Sequence, residues 1–285
     1  MRRIVRRIRR WLKGSKSNRA APTPEPKRQQ KLTSLSGGYK FSEDLPIRAD
    51  IRDKYGFDGD LLEIYAANTG PVVHKWHHYL PLYDRYFGPF RGRPIRFLEI
   101  GVAKGGSLLM WRKYFGPDAV IFGIDINPEC ARFNGQAAQV RIGSQADPDF
   151  LKSVVAEMGG IDIVLDDGSH QMDHIDITLR ALFPALGNGG IYMIEDLHTA
   201  YRPKFGGGRD APGNFFLTVS RMIADMHHWY HGGEITNPEF APFVAGLHVH
   251  DSMVVIDKAQ VYPPTHSQVG TEDPFDAASN AKVQA

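Results

Sequence analysis

Apolar and polar positions along this chain change period several times, and the changes divide it into segments. In MRRIVRRIRRWLK, Ile4, Val5, Ile8, Trp11 and Leu12 recur at helical spacing among arginines and Lys13, which predicts a basic amphipathic helix over 1–13. From Gly14 to Arg48 the chain is rich in Ser, Pro, Lys and Gln with little to bury, the composition of a flexible linker over 14–48. Residues 50–90 carry the pattern of two helices, the second around Lys75 to Phe87. Apolar runs RFLEIGV (96–102), VIFGIDI (120–126), IDIVLDD (161–167) and GIYMIED (190–196) then alternate with helical stretches at Ser107–Tyr114, Asp149–Met158 and His174–Leu186. Strands covered on both faces read as such continuous runs, so the alternation predicts an α/β fold with a doubly wound, parallel sheet between two layers of helices. A further amphipathic helix is expected from Phe215 to Tyr230, and GLHVH (246–250) with MVVIDKA (253–259) reads as a closing hairpin. Periodicity ends after Tyr262, so the folded domain is expected to run over 49–262 and a disordered tail over 263–285.

Composition narrows the function classes. With 42% hydrophobic and 23% charged residues, 285 residues are enough for a real core, and wholesale disorder is excluded. A net charge of +2 conceals an uneven distribution: seven of the first thirteen residues are Arg or Lys, and the remainder is mildly acidic. A broad basic face for nucleic acid is therefore not expected. The lone cysteine, Cys130, can form neither an internal disulfide nor a thiolate metal site, which suits the cytoplasm. No apolar run approaches eighteen residues, and the basic start lacks the apolar core of a signal peptide. Segment 1–13 suits the anionic inner face of a membrane, which would make the protein peripheral there; nucleic-acid attraction and a solvated tail are the competing readings.

Ligands of open α/β sheets bind beyond the carboxyl ends of the strands, so the residues after each strand carry the chemistry. The first strand is followed by Glu99-Ile-Gly101-Val-Ala-Lys-Gly105-Gly106-Ser107, where glycines let the backbone turn tightly against a ligand. The spacing is not the G-x-G-x-x-G of dinucleotide enzymes, which disfavours an oxidoreductase; it is the E-x-G-x-x-x-G form of S-adenosylmethionine (SAM) methyltransferases. Asp125, at the end of the second strand, is placed to accept from ribose hydroxyls, and Ser144 and Gln145 to contact adenine; the competing readings are a plain structural turn and a solvated loop glutamine. Two later strands end in Asp166-Asp167-Gly168-Ser169-His170 and Glu195-Asp196. Carboxylates converging on one cleft repel one another unless a cation lies between them, and an all-oxygen set favours Mg²⁺ or a similar hard ion over zinc. His170, three residues past Asp167, has the side chain of a general base. The other clustered histidines (74, 77, 78; 227, 228, 231) lack accompanying carboxylates in a ligand pattern and read as structural.

The segments LEIGVAKGGSLLMWRKYF, FGIDINP, IGSQADPDFL, DIVLDDGSH and GGIYMIEDLHTAY together resemble the metal-dependent sugar O-methyltransferases of the macrocin, mycinamicin and rhamnosyl type. The resemblance runs over about residues 70–258 and is densest over 96–205. It implies a class I methyltransferase fold, Rossmann-like, with a seven-stranded, mostly parallel sheet and N-terminal helical additions. SAM is expected at Glu99, Gly101, Gly105, Ser107, Asp125, Ser144, Gln145 and Asp166; the resemblance implies Mg²⁺ or Mn²⁺ on Asp167, Glu195 and Asp196, and His170 as base. KWHHYLPLY, with Lys75, His78, Tyr79 and Tyr83, is similar to a family stretch lying over the cofactor. The glycine-rich Gly206–Gly208 loop is a candidate lid. The expected acceptor is a sugar hydroxyl of a glycoside, glycolipid or polysaccharide. A catechol-like diol and a catalytically silent membrane-recruited scaffold are the rival readings. Larger family members carry an extra N-terminal domain, so acceptor identity and assembly, a homo-oligomer included, do not transfer.

Overall fold

The computed structural model describes residues 45–270. The chain divides into two units, Met1–Leu45 and Pro46–Ala285, and the described residues after Leu45 all belong to the second. The basic helix expected over 1–13, most of the linker and the far end of the tail lie outside the described residues.

Helices α1 (Ile47–Tyr55), α2 (Asp60–Ala66) and α3 (Tyr79–Phe87) precede the sheet. The alternating part comes next as β1 (Arg96–Ile100), α4 (Gly106–Phe115), β2 (Val120–Asp125), β3 (Gln139–Ile142), α5 (Pro148–Met158), β4 (Ile161–Asp166), α6 (Met172–Leu182) and β5 (Leu186–Ile194). The chain closes with α7 (Phe215–Met226), the single turn α8 (His228–His231), β6 (Val244–His250) and β7 (Met253–Lys258). The sheet has seven strands in the order β3-β2-β1-β4-β5-β7-β6. β1 to β5 pair in parallel, while β7 runs antiparallel to both β5 and β6.

Period-two alternation sends β1 residues Phe97 and Glu99 to one face and Leu98 and Ile100 to the other. On the first face Phe97, Ile163, Met193 and Val255 pack with Tyr83 and Phe87 of α3 and Trp111 and Phe115 of α4. On the second, Leu98, Val164, Tyr192 and Ile256 pack with Leu151 of α5, Leu179 of α6 and Val219 of α7. The expected doubly wound α/β fold is therefore the observed one.

Element ends differ where local chemistry intervenes. α1 begins at Ile47, inside the segment read as linker. The helix expected from Lys75 starts only at Tyr79, because 75–78 turn the Lys75 and Trp76 side chains toward the sheet. The helix expected to reach Tyr230 breaks at His227. β4 and β5 are neighbours with matched ends, Asp166 opposite Ile194, so the acidic residues after both strands meet at one edge.

Candidate active site

A cleft of about 390 Å³ opens at the carboxyl ends of β1, β2, β4 and β5. Gly101, Ser107, Asp125, Ser144 and Gln145 line one part of it, and Asp167, His170, Glu195 and Asp196 another; residues 72–76 close a side. Glu99, Gly105 and Asp166 do not line it; they shape it from behind.

Gly101 has φ +95°, and a β-carbon there would overlap the Asp167 carbonyl oxygen, so the glycine lets the first loop lie against the loop after β4. Asp125 Oδ2 accepts from the backbone N–H of Val102 and of Ala103, both at 2.9 Å, joining the loops after β1 and β2. Its Oδ1 accepts from the Asn127 N–H at 2.8 Å, and the residue lines the cleft. Glu99 is buried, accepting from Ser107 Oγ at 2.8 Å and Trp111 Nε1 at 3.0 Å. Burial pushes its carboxyl up to about 7, against the pull of Lys75 and of those two donors. Gln145 is engaged at both ends: Oε1 accepts from Ser169 N–H at 2.6 Å, while Nε2 donates to Asp166 Oδ1 at 3.2 Å and Thr178 Oγ1 at 3.1 Å. It holds the loop after β4, leaving Ser144, and Ser169 paired with His174 at 2.9 Å, as the polar groups at that end. Burial raises Asp166 to about 7 as well.

At the acidic end, Asp167, His170 and Asp196 each offer one ligand atom within 4.8 Å of the others. His170 Nε2 lies 3.9 Å from Asp167 Oδ1 and 3.8 Å from Asp196 Oδ2. The two carboxylate oxygens on a partly open wall fit a hard divalent cation with room for water or substrate, and the imidazole stands beside them. His170 and Asp196 both have left-handed backbones, φ 58° and 55°, the kind of strain that accumulates at functional sites. Glu195 is placed differently from its expected partners. It is buried and turned to Lys75, whose Nζ lies 3.0 Å from Oε2, and to Tyr83, whose hydroxyl donates to Oε1 at 2.5 Å. Lys75 also reaches Asp167 Oδ2 at 2.6 Å. Burial alone would lower the Lys75 pKa, but Asp167 and Glu195 outweigh it and raise it, so the lysine stays charged. Trp76, passed over in the sequence, donates from Nε1 to Asp196 Oδ1 at 2.8 Å; the signal available was its place beside Lys75 and before Tyr79 and Tyr83. The loop carrying Gly206–Gly208 sets Phe205 near the His170 ring, at 6.5 Å between centroids, with Gly208 N–H bonded to the Ala200 carbonyl.

Sheet order, glycine loop and acidic strand ends define the class I methyltransferase fold. Residues 98–197 match the methyltransferase domain family, and the chain is similar to sugar O-methyltransferases over a longer stretch. It is 38% identical over 214 residues to 8-demethyl-8-(2-methoxy-alpha-L-rhamnosyl)-tetracenomycin-C 3'-O-methyltransferase of Streptomyces olivaceus, across 71% of this chain and 54% of that protein. It is 36% identical over 212 residues to demethylmacrocin O-methyltransferase of Streptomyces fradiae, across 70% of this chain and 53% of that protein. The MycE methyltransferase from the mycinamycin biosynthetic pathway, solved in complex with Mg, SAH and mycinamycin VI, aligns with a TM-score of 0.64 at 31% identity, covering 80% of this chain and 60% of that one. The chain thus spans about half the length of the curated relatives it matches.

Proposed function

We propose that this chain is a SAM- and Mg²⁺-dependent O-methyltransferase acting on a sugar hydroxyl of a glycoside or glycoconjugate. The observation that carries the reading is one cleft joining the Gly101–Asp125 loops to the trio Asp167, His170 and Asp196. Relatives named for rhamnosyl-tetracenomycin and demethylmacrocin substrates support the sugar over the catechol.

Asp167 Oδ1 and Asp196 Oδ2 would hold the cation, which when bound supplies Lewis acidity to the acceptor oxygen. His170 Nε2 takes the hydroxyl proton. The acceptor oxygen then displaces sulfur from the methyl carbon, giving a methyl ether and S-adenosylhomocysteine (SAH). Gly101 and Asp125 hold the donor and the loop after β4 holds the acceptor side, so orientation supplies much of the rate. The experiment is release of SAH from SAM with a panel of glycosides and catechols, with and without chelator. Turnover of glycosides that stops on chelation and returns with Mg²⁺ or Mn²⁺ is expected. Turnover of catechols alone, or undiminished turnover without metal, would overturn the reading.

The same reading includes a cytoplasmic enzyme, peripheral at an anionic membrane through segment 1–13, whose acceptor is a glycoside, glycolipid or polysaccharide. The alternation of arginine with Ile4, Ile8, Trp11 and Leu12 supports the membrane part. No helix among the described residues is long and apolar enough to cross a membrane.

A further inference from the structure

We propose that residues 75–83 form a brace that presets the cation site, with Trp76 and Tyr79 as positioning residues acting through Asp196. The inference rests on the metal reading above. Each of the two carboxylates that face His170 has its other oxygen held by this one segment. Lys75 Nζ takes Asp167 Oδ2 at 2.6 Å and leaves Oδ1 facing His170 Nε2. Trp76 Nε1 and the Tyr79 hydroxyl, at 2.8 and 2.9 Å, both lie on Asp196 Oδ1 and leave Oδ2 facing the same nitrogen. The Tyr79 oxygen also accepts from the Asp196 N–H at 3.2 Å, which clamps backbone and carboxylate of a residue in a left-handed conformation. The Ser252 carbonyl, 3.2 Å away, is the alternative and longer acceptor for the one hydroxyl proton. The third carboxylate, Glu195, is held by Lys75 and Tyr83 of the same segment.

A carboxylate with one oxygen bonded to two donors cannot rotate freely, so its other oxygen stays aimed. Groups that orient metal ligands in this way are commonly worth about 10–100-fold in metal affinity. Trp76 and Tyr79 are neutral, so the effect of removing their donors is one of orientation rather than charge. The stretch with Lys75, Tyr79 and Tyr83, expected only to lie over the cofactor, thereby acquires a role toward the cation.

The test is titration of the full chain with Mn²⁺, free ion being followed by electron paramagnetic resonance, alongside SAH affinity and melting temperature. In a Trp76→Phe/Tyr79→Phe variant, which keeps an aromatic ring at each position and loses the donors, Mn²⁺ affinity is expected to fall about 10–100-fold with SAH affinity unchanged. Each single variant, which keeps one donor on Asp196, should lose less and serves if the double variant does not fold. Unchanged Mn²⁺ affinity overturns the brace. A parallel loss of SAH affinity and melting temperature also overturns it, by making the residues merely structural. Absence of Mn²⁺ binding in the unaltered chain instead sinks the metal reading, and the brace falls with it.

Discussion

His170 owes its place to a backbone that a non-glycine residue rarely adopts, φ 58°, at the end of a loop pinned by Gln145. Its Nε2 sits within 4 Å of both candidate ligand oxygens, where a hydroxyl bound beside a cation would present its proton. His170→Ala should therefore lose about 10²–10⁴-fold in turnover, the usual contribution of a positioned base, while Mn²⁺ and SAH affinities change little. Single-turnover kinetics beside equilibrium titrations would check this; an equal collapse of SAH binding would count against the assignment. Glu99 makes a different test. Its carboxyl is raised to about 7 in the folded chain, above its unfolded value of 4.5, so the folded state binds the extra proton between these values. Stability from this group is thus present at low pH and lost as pH rises from about 4.5 to about 7, by about 3 kcal/mol in all. Glu99→Gln replaces one accepting oxygen by a donor facing Ser107 or Trp111, a cost that does not vary with pH. Its melting temperature relative to the unaltered protein should therefore improve between pH 5 and pH 8. A difference independent of pH would show that Glu99 ionises at its ordinary value.

Among the elements, the turn from β1 to α4 depends on close approach of backbones, and glycine substitutions separate that from conformational strain. Gly101 and Gly92 both have positive φ, but a β-carbon at Gly92 meets nothing within 4 Å, whereas one at Gly101 overlaps the Asp167 carbonyl. Gly92→Ala should cost only backbone strain, about 1 kcal/mol. Gly101→Ala should cost several times as much and reduce SAH affinity, because the loops after β1 and β4 must separate; denaturant melts with SAH titration would read both. The histidines near the end of α7 have an element-level role of another kind. His227 Nδ1, His228 Nδ1 and His231 Nε2 lie 2.7 to 2.9 Å from the carbonyls of Ile223, Asp225 and Ala224, so they cap exposed helix carbonyls. That spacing looks like a metal pattern in one dimension and is a helix end in three.

For the whole molecule, the unit Pro46–Ala285 contains every group assigned to catalysis, and residues 1–13 belong to the other unit. Removing residues 1–13 should leave SAH binding and turnover of a water-soluble glycoside unchanged. It should abolish sedimentation with vesicles rich in anionic lipid, since each basic residue near such a surface contributes about 1 kcal/mol. Sedimentation that ignores both the deletion and the lipid charge would remove the membrane proposal.

The α/β order, the glycine loop and the two acidic strand ends were legible in the chain because they are local. A buried parallel strand announces itself as an apolar run, and the residue after it must stand at the carboxyl edge. Asp125, Asp167, His170 and Asp196 all stand at that edge. What each side chain touches was not legible. Lys75 meets Asp167 across 92 residues, and Trp76 meets Asp196 across 120; which oxygen each donor takes depends on rotamers set by packing, not on spacing. That Gln145, at the cleft wall, also anchors the loop after β4, and that Glu195 is held by Lys75 and Tyr83, has no signature in the spacing. Those assignments belong to the folded chain, because hydrogen-bond partners distant in sequence are selected only when the sheet and helices have brought them within about 3 Å.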